Sequence, residues 1–273
     1  MGTDKDTMQN LMYKVISNLS KSKYKIIFKG SLLLSALMED ADITTPSRLS
    51  RDFDGDIQVQ LTIEEALVEI ESALTVTGVK YKSIEIDART TESQFFFNVY
   101  DSMGMIMFNI DLGLKINPWH TTYEFKNGIV LYGQTLAKIF WDKICVVSSD
   151  EVEFRPWDVF DMYLLSLRKD LIMSDIIAVK NGTGRKLGDF KMFLSPTDKI
   201  KSVWKRRRYI KERPNFDVMF GRVRDLCTPF ITGGITNATW SPAESLWYEG
   251  EFTKDSFEKE VAFEPSSAFS NPK

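Results

Sequence analysis

The sequence predicts an α/β fold in which a mixed sheet in the first half is followed by an all-helical second half. Two observations support this prediction. Up to about residue 117, short segments rich in aromatic and β-branched residues alternate with helical patterns, as strands and helices of one core do. Beyond residue 134 the apolar residues recur at helical spacing. A chain of 273 residues is long enough for one large domain or two modest ones.

The predicted elements follow in chain order. Short runs of alternating or aromatic residues predict strands at 24–28, 57–61, 82–86, 95–100 and 105–112. Apolar residues at helical spacing predict helices at 7–19, 32–37, 63–74, 134–147, 157–171, 197–211 and 217–226. We therefore expect a catalytic core over 1–130, a helical module over 131–252 and a flexible, polar tail over 253–273. A cleft between core and module would be the natural substrate site.

Composition excludes several classes of protein. The 35 basic and 38 acidic side chains give a net charge of −3, which argues against binding to nucleic acid by bulk charge alone but allows a local basic patch. Cys145 and Cys227 lack metal-ligand spacing and suit a reducing compartment. No segment approaches the ~20 consecutive apolar residues of a membrane span, and the polar start is unlike a signal peptide. We therefore expect a cytoplasmic protein without a membrane partner.

Three carboxylates alternate along a predicted strand entry, at Asp52, Asp54 and Asp56. Alternate residues of an extended chain point to one side, so these groups would crowd negative charge onto one face. Like charges that close repel strongly unless a cation lies between them. Mg²⁺ is typically bound by one or two carboxylates together with substrate phosphates. The pattern therefore predicts a site for Mg²⁺ or Mn²⁺ that serves phosphoryl or nucleotidyl chemistry.

Asp111 lies within an apolar predicted strand, where a charge is costly unless it is paired, exposed or bound to a metal. Its neighbours Ile110 and Leu112 would point the opposite way, toward a core. A further carboxylate on an adjacent strand could complete a two-metal site. The alternative is an aspartate at a strand end that simply faces water.

Two further features suggest contacts to phosphate. Lys29-Gly30-Ser31 lies where a strand leads into a helix, and the free N–H groups of such a turn bind anions, although the same residues could form only a turn and helix cap. Lys143 lies among apolar residues of a predicted helix and would need an anionic partner if buried. That partner could be Asp158, as a structural ion pair, or a nucleotide phosphate.

The strongest basic patch lies at 199–211. Basic and aromatic residues alternate there, which suits contact with an RNA backbone, and Lys205, Arg206 and Arg208 are the candidate RNA-binding residues. The alternative is the solvated face of a packing helix, with Trp204 in the core. His120 is the single histidine and has no second imidazole with which to share a metal, so neither a zinc site nor a Ser–His–Asp triad is supported.

The order of these motifs resembles a known family. The sequence runs through a Lys-Gly-Ser turn at 29–31, an Arg-x-Ser-x-Asp-x-Asp strand at 48–54, a strand-borne Asp111, a helix with Lys143, and Arg155-x-x-Asp158-x-x-Asp161. This arrangement is similar to the nucleotidyltransferase superfamily of DNA polymerase β. More narrowly, it resembles the AbiEii/AbiGii-type nucleotidyltransferase toxins, over most of the chain except the tail.

The resemblance implies a polymerase-β-like core and a metal-dependent transfer of a nucleoside monophosphate from an NTP to an acceptor hydroxyl. It also implies tRNA or another RNA as acceptor, and the role of toxin in a toxin–antitoxin or abortive-infection system with a cognate antitoxin as partner. Three alternatives stay open. They are an antibiotic- or protein-modifying nucleotidyltransferase, a nucleotide-binding regulator without turnover, and an interaction protein whose acids bind a basic partner.

The resemblance also implies roles for particular residues. The residues implied to bind the nucleotide are Lys29, Gly30, Ser31, Arg48, Ser50 and Lys143. Asp52 and Asp54 match the metal ligands, although the additional acid leaves Asp54 and Asp56 as an alternative pair. Asp111 resembles the third carboxylate, which helps to activate the attacking hydroxyl, and Asp158 matches the acid of the helical module.

Overall fold

A computed structural model gives the fold and describes residues 3–44, 51–195, 197–206, 213–234 and 237–249. Its strands are β1 (Ile26–Lys29), β2 (Asp52–Ile57), β3 (Ser83–Ile86), β4 (Gln94–Tyr100), β5 (Ile106–Leu114), β6 (His120–Glu124), β7 (Val130–Gln134), β8 (Ala238–Ser241) and β9 (Leu246–Glu249). Its helices are α1 (Thr3–Ser20), α2 (Gly30–Asp40), α3 (Ile63–Thr77), α4 (Leu136–Val147), α5 (Pro156–Ser166), α6 (Met173–Thr183), α7 (Lys191–Leu194), α8 (Asp198–Arg206) and α9 (Phe216–Thr232), with a 3₁₀ turn at Asp150–Glu153.

Seven strands form one mixed sheet in the order β3-β4-β5-β2-β1-β7-β6. The central strand β2 is parallel to β5 and antiparallel to β1, and β1 in turn is parallel to β7. The predicted α/β class with a mixed sheet is therefore confirmed. Buried residues of the sheet and of the helices that follow it belong to one continuous apolar cluster.

The two faces of the central strands differ in chemistry because side chains alternate along a strand. Phe53 and Ile57 of β2 are buried in the core, and the Phe53 ring meets that of Phe108 on β5 edge to face, with centroids 4.9 Å apart. The aspartates of β2 and Asp111 of β5 occupy the intervening positions and so lie on the opposite face. Burial of one face thereby fixes the register that brings the acids together.

The predicted strand at 57–61 is wrong, because β2 covers the aspartates themselves and ends at Ile57. The predicted helix at 157–171 is confirmed in its first part and is too long, because α5 ends at Ser166 and a new helix begins at Met173. The carbonyl oxygen of Ser166 accepts hydrogen bonds from Trp240 Nε1 (2.8 Å) and Arg222 Nη2 (2.9 Å). Side chains distant in sequence thus provide hydrogen bonds for a free carbonyl at the end of α5. The local periodicity of the sequence does not show that the helix ends there.

Two hairpins depart from the predicted outline. Strands β6 and β7 pair at one edge of the sheet, so the predicted boundary at residue 130 falls on the first residue of a strand of the sheet. Strands β8 and β9 form a second hairpin, so the second half is not all-helical. The predicted tail at 253–273 lies outside the described residues. No helix within the described part of the chain is long and apolar enough to cross a membrane.

The start of α3 offers a test of local stability. Thr62 Oγ1 accepts from the Glu65 N–H, and the Glu65 side chain accepts from the Thr62 N–H at 2.8 Å, which is a complete capping box. We expect Thr62→Ala to lower the free energy of unfolding by about 1 kcal/mol, measured by urea denaturation. Thr62→Ser, which keeps the hydroxyl, should lie close to wild type; equal losses in both variants would contradict the capping role.

Candidate active site

Asp54 and Asp111 form the centre of the acidic face. They are direct neighbours in the parallel register of β2 and β5, and both are half-buried. Gln94 Nε2 donates to Asp111 Oδ1 at 2.7 Å and so orients that carboxylate. Asp52 lies at the exposed start of β2, where its Oδ1 accepts from Asn109 Nδ2 at 2.9 Å. The structure therefore brings the two predicted metal ligands of β2 to one face, beside the predicted third acid.

The Lys-Gly-Ser turn at 29–31 faces the Asp54 carboxylate. Lys29, the last residue of β1, pairs with Asp54 in the antiparallel register, and Gly30 begins α2 with a φ of 75°. A Cβ atom at position 30 would lie 2.3 Å from Asp54 Oδ2, so a side chain there would collide with the acid. Glycine is therefore needed both for the left-handed backbone and for the close approach. Ser31 follows in the first turn of α2 and is buried.

Asp56 has a different environment from Asp54. Its side chain is fully buried; Oδ1 lies 2.6 Å from Lys29 Nζ, and Oδ2 accepts from Asn117 Nδ2 at 2.8 Å. The exposed Lys115 ammonium lies 3.6 Å from Oδ1. Because protein donors engage both oxygens of Asp56, Asp52 and Asp54 remain our predicted metal pair, and Asp56 holds Lys29 in position beside Asp54.

Lys143 on α4 lies between two carboxylates of α5. Its ammonium is 2.8 Å from Asp158 Oδ1 and 2.6 Å from Asp161 Oδ2, and all three side chains are largely buried. Arg155 Nε donates to the other oxygen of Asp158 at 2.7 Å. Burial lowers the pKa of Lys143, but the two carboxylates outweigh burial and raise that pKa above its usual value. The ion pair with Asp158 is therefore present, whereas contact with phosphate stays a prediction.

A pocket of about 260 Å³ lies between the acidic face of the sheet and helices α4 and α5. We call it the phosphate pocket. Its lining includes Gly30 and nine charged side chains, of which six are basic (Lys29, Lys115, Lys138, Lys143, Arg155 and Arg185) and three are acidic (Asp54, Asp142 and Asp158). This excess of positive charge favours a polyanion such as a triphosphate.

The acids also suit a divalent cation. Burial raises the pKa of the Asp54 carboxyl to about 6, and the charges of Asp111 and Asp52 reinforce the rise while Lys29 opposes it. A cation bound beside Asp54 would relieve this repulsion. No group of three or more potential ligands in the described chain is arranged to hold a metal by itself. Asp52 and Asp54 are the residues that would hold an ion such as Mg²⁺, which takes one or two carboxylates and completes its shell with substrate phosphates and water.

The other predicted residues lie elsewhere. Lys205 and Arg206 are exposed at the end of α8 and are not among the residues that line the phosphate pocket, whereas Trp204 is buried, as its alternative interpretation predicted. Arg48, Ser50 and Arg208 lie outside the described residues.

Four basic residues of the pocket were not among the predicted site residues: Lys115, Lys138, Arg155 and Arg185. Arg155 carried a usable signal, because an arginine three residues before an aspartate at a helix start often pairs with it. Lys138 pairs with Asp142 one turn further along α4, and Arg185 also lies near Asp142, at 3.3 Å. The approach of Arg185 depends on how α6 packs on α4, which local sequence does not reveal.

Neither a protein-family model nor a curated protein matches the sequence. Solved structures do match. A Helicobacter pylori protein provisionally described as a nucleotidyltransferase superposes with a TM-score of 0.57 at 16% identity, over 85% of this chain and 97% of that one. The Helicobacter pylori protein JHP933 gives a TM-score of 0.56 at 14% identity, over 85% of this chain and 94% of that one. At these identities the similarity establishes a nucleotidyltransferase-like fold.

The raised pKa of Asp54 gives a testable dependence of stability on pH. The pKa of Asp54 is about 6 in the folded state, whereas the ordinary pKa of an aspartate is 3.8, so the folded state binds more protons between these two pH values. Stability from this group is therefore lost as pH rises through the interval. Asparagine does not titrate, so Asp54→Asn should escape this loss. We expect the unfolding free energy of the variant minus that of wild type to increase by about 2 kcal/mol from about pH 4 to pH 7, measured by urea denaturation in a chelator.

Asp225→Asn is the matched control, because Asp225 is exposed on α9 and does not line the phosphate pocket. Its stability curve should run parallel to that of wild type over the whole range. If the Asp54→Asn curve also ran parallel to wild type, the proposed burial of the Asp54 charge would be wrong.

Proposed function

We propose that the protein is a metal-dependent nucleotidyltransferase that transfers a nucleoside monophosphate from an NTP to an acceptor hydroxyl and releases pyrophosphate. One observation carries the proposal. Asp54, which has Asp111 beside it on the neighbouring strand, faces the side-chain-free turn at Gly30 and lines a pocket with an excess of basic residues. Nucleotidyl transfer needs this combination of metal-binding carboxylates and a polyphosphate site. The nucleotidyltransferase-like fold agrees with it.

The chain's own groups divide the binding of the NTP between two walls. On the sheet side, Lys29 and the first N–H groups of α2 would bind phosphate oxygens, because a helix start attracts anions. On the helical side, Lys143 and Arg155 would bind phosphates while Asp158 keeps both cations in place. Cations fixed before the substrate arrives need little rearrangement during the reaction, which is the main source of electrostatic catalysis.

Asp52 and Asp54 would hold Mg²⁺ or Mn²⁺, which when bound supplies positive charge that stabilises the phosphates in the transition state. Asp111, oriented by Gln94, would accept the proton of the acceptor hydroxyl. The hydroxyl oxygen then forms a bond to the α-phosphorus, while the bond from that phosphorus to the oxygen leading to the β-phosphate breaks. Pyrophosphate leaves with the electrons of the broken bond.

We extend the proposal to tRNA, or another RNA, as the acceptor, and to the role of a toxin in a toxin–antitoxin or abortive-infection system. Two features support this extension. The motifs from Gly30 to Asp158 occur in the order typical of AbiEii/AbiGii-type toxins. Lys205 and Arg206 expose two cations at the end of α8, where an RNA backbone could bind. A cognate antitoxin would then be the protein partner.

A labelling experiment tests the chemistry. The full chain is incubated with Mg²⁺, total tRNA and each α-³²P-labelled NTP in turn. We expect label on RNA with at least one nucleotide, and a loss of about a hundredfold or more in Asp54→Asn and Asp111→Asn, because each removes a charge that acts in the transition state. Asp225→Asn makes the same substitution at an exposed aspartate and should label RNA as wild type does.

The distribution of label separates the alternatives. Label on the protein or on an added protein would favour a protein-modifying nucleotidyltransferase. Label on a small aminoglycoside-type acceptor but not on RNA would favour an antibiotic-modifying enzyme. NTP binding with no transfer to any acceptor would refute turnover and favour a regulator.

The RNA contact is tested by reversing charge on α8. We expect the double variant Lys205→Glu, Arg206→Glu to raise KM for tRNA about tenfold at low salt with little change in kcat, because backbone contacts act mainly on binding. The control is Lys14→Glu with Lys21→Glu, which makes the same change in net charge on exposed lysines at and just after α1. An equal rise in KM for both double variants would show an effect of overall charge and count against the α8 site.

A further inference from the structure

A second pocket adjoins the phosphate pocket. It has a volume of about 360 Å³ and shares four wall residues with the phosphate pocket: Lys115, Lys138, Asp142 and Arg185. The remaining wall includes Asn117 and Trp119, from the segment after β5, and Thr183, from the end of α6. We call it the side pocket. Its volume lies within the range of small-molecule sites.

The side chain and backbone of Trp119 are firmly held. The Trp119 N–H donates to Asn117 Oδ1 at 3.1 Å, and its carbonyl accepts from the Thr135 N–H at 3.1 Å. The indole packs directly on Gly182, where a Cβ atom would lie 2.5 Å from Trp119 Cζ2. A half-buried aromatic ring fixed in this way loses little conformational freedom when a flat ligand packs on it.

Thr183 supplies an unsatisfied polar atom in the wall. Its Oγ1 is buried and has no hydrogen-bond partner among the described residues. A buried hydroxyl without a partner is unfavourable, and native structures rarely leave one without a ligand or ordered water. The wall thus combines an aromatic ring, an amide and an unused hydroxyl with the cations that it shares with the phosphate pocket.

We propose that the side pocket binds the nucleoside part of the NTP, with the base packed on Trp119 and the Thr183 hydroxyl bonded to a polar atom of the base or ribose. The inference rests on the proposed function, since it assumes that a triphosphate occupies the phosphate pocket. Because the two pockets share a wall, a nucleoside attached to a triphosphate in the phosphate pocket has the side pocket as an adjoining space. Bases pack on aromatic side chains whatever their identity, and hydrogen bonds then distinguish one from another.

Binding measurements can separate the nucleoside from the phosphates. Titration calorimetry on the full chain with Mg²⁺ compares tripolyphosphate with the α,β-methylene analogues of the four NTPs, which cannot transfer their nucleotide. We expect wild type to bind at least one analogue more tightly than tripolyphosphate. Trp119→Ala should weaken binding of that analogue by about tenfold, as the loss of one base–aromatic contact does, and should leave tripolyphosphate binding unchanged.

Two further variants distinguish a loss of ligand contact from a loss of folding. Trp119→Phe keeps an aromatic face and should retain most of the preference for the analogue. Thr183→Val removes the unsatisfied hydroxyl, so the apo protein should be at least as stable as wild type, while the affinity for the preferred analogue falls about fivefold. Unchanged tripolyphosphate binding in all three variants shows that the phosphate pocket is intact.

The outcomes test the nucleoside assignment separately from the proposed function. If Trp119→Ala and Thr183→Val kept the full preference for the analogue, or if wild type bound analogue and tripolyphosphate equally, the nucleoside assignment would be overturned while the proposed function stood. If wild type bound none of these ligands, the proposed function itself would fail, and the assignment with it.

Discussion

Three carboxylates on one face of the central strand β2 are the constraint on which the rest of the site depends. The opposite face carries Phe53 and Ile57, whose burial fixes the register, so the acids cannot turn away from the cleft. The fold compensates them unequally. Asp52 is exposed at the strand start, and Asp56 is enclosed by Lys29 and Asn117. Asp54, between them, faces another carboxylate across the strand pair; burial raises its pKa, and the charges of Asp111 and Asp52 add to the rise while Lys29 opposes it. The group that the protein leaves least satisfied is the one that a bound cation would stabilise most.

Helices α4 and α5 complete the site by supplying cations whose positions are fixed. Lys143 is held by Asp158 and Asp161, and Arg155 by Asp158, so the helical wall has a salt-bridge network of its own. Such a network adds little stability, because two buried charges lose much hydration for each contact that they gain. Its value in a phosphate site is geometric. A cation with fixed partners keeps its position when the polyanion binds, whereas an exposed lysine must lose side-chain entropy first.

Elements with strong local patterns could be predicted from the sequence. Elements that depend on contacts with residues distant in the sequence could not. The amphipathic α3 was predicted over 63–74 and is found over Ile63–Thr77, with its capping box at Thr62. Strand β7 was missed because it is short and contains Gly133, where a Cβ would lie 3.0 Å from Leu33 and Tyr123. The Asn127-Gly128 pair before it is a strong hairpin signal and could have revealed it. For the site, alternation predicted the shared face of the β2 acids correctly. Local sequence could not predict the contact of Lys29 with Asp56 or that of Arg185 with Asp142, because these residues lie 27 and 43 positions apart.

The buried Asp56 links the two halves of the proposed substrate site. One of its oxygens holds Lys29 beside the phosphate pocket, and the other holds Asn117, whose own side-chain oxygen accepts from the Trp119 N–H in the side pocket. A single carboxylate therefore fixes a cation for the phosphates and, through one amide, the loop that carries the indole. This connection gives a physical reason for a third acid on β2 that need not bind metal. The acid that the sequence offered as an alternative metal ligand is, in the folded protein, the group that sets the positions of residues in both of the pockets proposed to bind the nucleotide.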